Sequence, residues 1–174
     1  VSLEVSPELA HDAPGTLAEA RRLWQDVDRP NLMIKVPGTR TCLPVIRTLL
    51  AEGINVNITL LFAKEAYSLV AEAYLAALEE RLGKGMPVDR VASVASFFIS
   101  RVDTAVDVLL QALGREHAAL QGLAGIANAG SAYGRFLNKR EGARFRALAA
   151  QGAQVQRPLW ASTGPKSAAY RDVV

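Results

Sequence analysis

The sequence predicts an α/β protein, an incomplete (β/α)8 barrel of the TIM type. Three observations predict it. Strand-like and helix-like segments alternate along the chain, which is the order of a parallel sheet. The inner strand segments are nearly continuous apolar runs rather than alternating ones, as in strands covered on both faces. Polar residues stand at the C-terminal ends of these segments, where a barrel gathers its catalytic groups on one face. No segment is followed by a G-x-G-x-x-G or Walker loop, and the glycines from Gly122 to Gly130 lack the spacing for one. This weighs against a nucleotide-binding doubly wound sheet.

The elements follow in order. Val1–Val5 is rich in β-branched residues and reads as a strand. Thr16–Asp26 places Leu17, Ala20, Leu23 and Trp24 on one helical face. Asn31–Val36 is a buried strand stopped by Pro37-Gly38. Cys42–Glu52 is helical, with Gly53 as its stop. Asn55–Phe62 is the next strand. Lys64–Leu82 is a long helix ended by Gly83 and Gly85, on which Tyr67 and Tyr74 share a packing face. Arg90–Ile99 is a strand and Asp103–Leu113 a helix. Ser131–Phe136 and Gly142–Ala150 read as helical, and Val155–Ala161 as the last strand. Eight strands need about 250 residues, so roughly three units of a barrel are missing. Residues 1–174 are read as one partial barrel domain.

Composition bounds the function. Half of the 174 residues are apolar and 21% are charged, which excludes a disordered chain. No apolar run approaches the roughly 20 residues of a membrane span, so no membrane partner is expected. The single cysteine, Cys42, excludes an internal disulfide and a cysteine-based zinc cluster. His11 and His117 have no metal-ligand spacing, and no metal is expected. A net charge of +3 spread over 20 basic and 17 acidic residues supports a general nucleic-acid binder only weakly and suits an anionic small molecule equally well, and no nucleic-acid partner is expected. The chain opens at Val1 without a signal-type segment, which reads as a piece of a longer cytoplasmic polypeptide. Two open sheet edges would then favour a homo-oligomer or the remaining barrel segments of a parent chain.

Lys35 carries the most information. A lysine among Leu32, Met33, Ile34 and Val36 is expensive unless its ammonium is paired, reaches water or gives up its proton. A neutral amine can attack a carbonyl and form a Schiff base. Glu4, among Val1, Leu3 and Val5, is either a proton shuttle or the partner of a lysine. Asn57 and Thr59, two apart on a strand, face the same way and suit hydroxyls or an ordered water, or else satisfy loop backbone. Ser96 and Arg101 at the end of one strand form a phosphate grip, unless Arg101 pairs with Asp103. Ser162-Thr163-Gly164 with Lys166 is a second donor-rich loop for the same anion, or an ordinary turn. Trp160 either lines the mouth or packs in the core.

Together these segments resemble the transaldolase family. Asn31-Leu32-Met33-Ile34-Lys35-Val36-Pro37-Gly38-Thr39 is similar to its Schiff-base lysine motif, and Gly53–Phe62 to its next strand. Ser93–Arg101, Arg157–Gly164 and Val1–Ser6 are similar to further strands, in order. The Trp160-Ala161-Ser162-Thr163-Gly164 version resembles a subfamily that also occurs fused to phosphoglucose isomerase. The resemblance implies transfer of a dihydroxyacetone unit between sugar phosphates in the pentose phosphate pathway. It needs no cofactor, because the protonated imine is the electron sink. It implies that Lys35 forms the imine, that Glu4 assists a catalytic water, and that Thr59 positions that water. Asn57 and Ser96 would hold the donor, Phe98 would stand at the mouth, and Arg101 and Ser162 would hold phosphate. The chain would lack the first two barrel strands, with the family's aspartate and asparagine, and the last. Where many relatives carry a second phosphate-binding arginine, Lys166 or Arg157 would supply the charge. An aldolase using the same imine, and a non-catalytic barrel fragment, are the alternatives.

Overall fold

The structure, a computed structural model, describes residues 1–164. Five strands form one sheet: β1 (Ser2–Glu4), β2 (Met33–Pro37), β3 (Val56–Leu61), β4 (Ser93–Phe98) and β5 (Arg157–Ala161). The helices between them are α1 (Ala13–Val27), α2 (Leu43–Glu52), α3 (Lys64–Gly83), α4 (Ser100–Leu113), α5 (Ala124–Glu141) and α6 (Ala143–Ala149). Local chemistry sets several ends. Asp12 accepts from the Gly15 N–H at 3.0 Å and starts α1 three residues before the sequence reading, and Gly53, at φ 91°, stops α2.

All pairings are parallel, and spatial order equals chain order, β1-β2-β3-β4-β5. The order never reverses, so there is no switch point of the doubly wound kind. Right-handed crossovers between successive neighbours put every helix on one side of the sheet. Accordingly α1 packs on α2, α2 on α3, and α3 on α5. The sheet is an arc of a singly wound barrel with β1 and β5 at its open edges. The core lies between arc and helices. Ile34, Val36, Val56, Ile58, Ala95 and Phe97 from the strands meet Ile46, Leu49, Val70, Tyr74 and Leu78 from the helices. Tyr67 and Tyr74 are both 1% exposed there, so their shared face is a packing face. Trp160 also points to the helix side, 5.8 Å from the Phe97 ring, and does not line the mouth. Among the described residues no helix is long and apolar enough to cross a membrane.

The stretch from Ser100 to Glu141 departs from the sequence reading. α4 begins at Ser100, not at residue 103, and the short helix read over Ser131–Phe136 runs from Ala124 to Glu141. Gly125, Gly130 and Gly134 look like breakers in sequence. Gly125 instead fits where a Cβ would stand 2.7 Å from the Ile99 carbonyl, and its N–H donates to Asp103 at 2.7 Å. The N-terminal cap of α5 thus comes from α4. Asp107 accepts from the Gly122 N–H at 3.0 Å in the same way. These bonds bury the acidic side of α4 and leave Val108, Leu109 and Leu113 exposed.

Candidate active site

The inner, helix-free face of the arc collects the polar residues. Alternation along each strand turns one set of side chains to the helices and the other to this face. Glu4 is the register partner of Lys35, and Lys35 of Asn57. Three strands therefore place an acid, an amine and an amide in one row. Lys35 Nζ donates to Glu4 Oε2 at 3.0 Å. The two side chains are 29% and 47% exposed, so Lys35 is both paired and in reach of water. The lysine of an apolar strand escapes burial because the strand's inner face is open here.

A second chain of bonds crosses the same face. Ser96 Oγ donates to Asn57 Oδ1 at 2.7 Å, and Asn57 Nδ2 donates to Ser2 Oγ at 3.0 Å. The amide spans from β4 to β1 over β2, the strand that carries Lys35. Ser2 was not among the residues singled out from the sequence. Its signal was there, since it lies two residues before Glu4 and so shares its face.

Thr59 shares the face of Asn57 and is 1% exposed. Beyond it β3 breaks register between Ile58 and Leu61, and Leu60 takes φ 60°. This bulge turns the end of β3 outward. The Gly38 N–H donates to the Thr59 carbonyl at 2.7 Å. A Cβ on Gly38 would stand 2.7 Å from Leu61 Cδ2 and 3.0 Å from that carbonyl. Only glycine lets the loop after Lys35 lie this close to β3.

The strand ends form the rim. Phe98 stacks on Phe62 with centroids 5.1 Å apart, and the Arg101 guanidinium lies 4.4 Å above the Phe98 ring. Phe62, absent from the sequence reading of the site, is held by Asn128 Nδ2, which donates to its carbonyl at 2.6 Å. Arg101 does not pair with Asp103, which is buried in the first turn of α4 and accepts from the Gly125 N–H of α5. Ser100 N–H donates to the Ser162 carbonyl at 3.0 Å, and the two hydroxyls are 3.1 Å apart. Ser162 therefore stands beside the first turn of α4, in a left-handed conformation at φ 56°. Arg157 is at the other end of β5, roughly 16 Å along the strand from Ser162, and cannot complete a grip there. Lys166 lies outside the described residues.

The sequence model of the transaldolase/fructose-6-phosphate aldolase family matches residues 1–174, the whole chain. The chain belongs to this family. A transaldolase of Mycobacterium leprae is 52% identical over 176 residues, covering 100% of this chain and 47% of the relative. A transaldolase of Saccharopolyspora erythraea is 53% identical over 174 residues, covering 99% and 47%. Transaldolase 1 of Streptomyces coelicolor is 51% identical over 175 residues, covering 100% and 46%. The chain thus spans about half the length of the curated relatives it matches. Family membership accounts for the parallel arc with unreversed strand order.

Proposed function

We propose that this chain supplies the imine-forming part of a transaldolase that moves a dihydroxyacetone unit between sugar phosphates. One observation carries the reading: Lys35, Glu4 and Asn57 occupy one row of the inner face, with the amine 3.0 Å from the carboxylate. The Lys35 amine, once deprotonated, adds to the ketose carbonyl, and loss of water gives the imine. Glu4 serves as the nearby acid and base for that water, which Thr59 positions. Cleavage of the bond between donor carbons three and four releases an aldose. The electron pair left behind is delocalised into the protonated imine. Addition of a second aldose to the resulting enamine, then hydrolysis, delivers the product and frees the lysine.

Asn57 and Ser96 hold the dihydroxyacetone hydroxyls, with their own mutual bond fixing the amide orientation. Arg101 and Ser162 receive the phosphate at the rim. Arg101 is exposed and pre-oriented by the Phe98 ring, which is what a planar phosphate fork requires. The acid/base group of the family's first strand would come from outside this chain. The family description also covers fructose-6-phosphate aldolase, so release of free dihydroxyacetone is the second reading.

Borohydride trapping with fructose 6-phosphate, read by peptide mass spectrometry on the longest form of the polypeptide, tests the proposal. A reduced adduct on Lys35 supports it, and an acceptor assay then separates transferase from aldolase. No adduct on a form with all eight strands overturns the imine reading.

A further inference from the structure

The pairing of β3 with β4 slips by one residue near Leu60. Ile58 stands beside Ala95, but Leu61 stands beside Phe97. Had the first register continued, Leu61 would meet Phe98 and Phe62 would meet Ile99. Alternation from Thr59 would then turn Phe62 toward the helices. The extra residue reverses this. Leu61, 0% exposed, joins Phe97 in the core. Phe62 comes level with Phe98 and stacks on its ring, with centroids 5.1 Å apart and 20° between the planes. The slip requires Leu60 at φ 60°, a left-handed conformation that is strained for a bulky side chain. Strain of this kind collects at functional sites.

Phe62 stays 41% exposed, so its stack on Phe98 is not a core contact. The consequence falls on Arg101. Among the described residues its guanidinium has no carboxylate partner and no hydrogen bond, and it rests on the Phe98 ring at 4.4 Å. A guanidinium on an aromatic face keeps its edge N–H groups free for an anion, provided the ring itself is held. Phe98 is the last residue of β4, and Phe62 is the ring stacked on it. Helix α5 closes the arrangement. Asn128 Nδ2 donates to the Phe62 carbonyl at 2.6 Å. Gly125, three residues earlier on the same face of α5, donates to Asp103, in the turn of α4 that carries Arg101. One face of α5 thus ties together both ends of the series Phe62, Phe98, Arg101.

We propose that Phe62 and Asn128 are positioning residues for Arg101. The bulge at Leu60 aims Phe62 at Phe98, Asn128 fixes Phe62, and the paired rings hold the guanidinium in the orientation that receives the substrate's phosphate. The inference rests on the reading of Lys35 as the imine-forming amine and of Arg101 as a phosphate ligand.

The test reads the ketose concentration that half-saturates borohydride trapping at Lys35, on the longest form of the polypeptide, for fructose 6-phosphate and for fructose. The ratio of the two reports the phosphate contribution, and a general structural loss shifts both alike and leaves the ratio unchanged. Phe62→Leu is expected to reduce the preference for the phosphorylated ketose by about two- to fivefold. Phe62→Tyr, which keeps the ring, should retain the parent ratio, and Asn128→Ala should move it in the same direction as Phe62→Leu by less. In an Arg101→Ala background Phe62→Leu should reduce it no further. If Arg101→Ala lowers the ratio and Phe62→Leu does not, the positioning role is overturned while the phosphate reading stands. A full further loss in the double variant also overturns it, because Phe62 would then act independently of Arg101. An unchanged ratio in Arg101→Ala, or no trapping with either ketose, overturns the underlying reading and this inference with it. Should Phe62→Leu fail to fold, Asn128→Ala decides, and a parent ratio there overturns the proposal.

Discussion

Lys35 Nζ and Glu4 Oε2 stand 3.0 Å apart because β1 and β2 pair in parallel with these two residues as direct register partners. Neither residue identifies its partner in the sequence, 31 positions apart. The pairing gives the proposed nucleophile a proton acceptor on the neighbouring strand, in a site open to water on one side. Glu4→Gln keeps the shape and removes the base. Turnover is expected to fall by on the order of 100-fold while Lys35 remains trappable by borohydride. Steady-state rates beside mass-spectrometric adduct yield check this, and an unchanged rate would remove Glu4 from proton transfer.

The Ser96–Asn57–Ser2 chain fixes a buried amide. Ser96→Ala leaves Asn57 Oδ1 without its donor and is expected to lower stability by about 0.5–1.5 kcal/mol. The KM for the ketose should rise as well. Ser2→Ala should move KM in the same direction with a smaller stability loss, since β1 is an exposed edge. Urea unfolding and initial rates give both quantities.

Gly38 is held against β3 by contact rather than by an unusual φ. A methyl group at 2.7 Å from Leu61 Cδ2 must push the loop after Lys35 away from Thr59. Gly38→Ala is expected to destabilise by about 1–3 kcal/mol and to impair imine formation. A melting temperature equal to the parent's would show that the loop has slack.

Arg101 stacks on Phe98 with its guanidinium free to meet an anion. Arg101→Lys keeps the charge and loses the planar fork, so affinity for phosphorylated ketoses should drop about tenfold, with little change for unphosphorylated ones. Equal losses on both substrates would remove the phosphate role.

Alkaline stability follows from Tyr67 and Tyr74, whose burial on α3 pushes both phenols above the usual value near 10, Tyr67 to about 12. Above pH 10 the unfolded chain releases these protons while the folded chain keeps them. Stability is therefore full below pH 10 and falls as pH rises toward 12. Tyr67→Phe should flatten this limb in urea titrations at stepped pH. At the acid end, hydrogen bonds from Arg144 lower the Glu79 carboxyl. Its contribution is present above the ordinary carboxylate range and lost as pH falls through the lowered value, and Arg144→Ala should remove that dependence.

The sequence by itself determined the alternation of strands and helices, the parallel sheet, the family, and the strand-end polar residues. These are legible because each is local: a buried parallel strand is a continuous apolar run, and a strand end is where that run stops. Long-range contact was not legible. Nothing near Gly125 announces that Asp103 will cap its helix, so α5 reads as broken glycine-rich chain until α4 is placed beside it. The inverted burial of α4 has the same cause. Arg157 and Trp160 lie within five residues of Ser162 in sequence, yet the rise of the strand carries Arg157 to the far end, and Trp160 packs on Phe97 at the helix side. The tertiary structure alone decided that Lys35 pairs with Glu4, that Asn57 reaches Ser2, and that Ser96 is the donor to Asn57. Each depends on register between strands, and register is set by packing across the whole sheet rather than by neighbours in the chain.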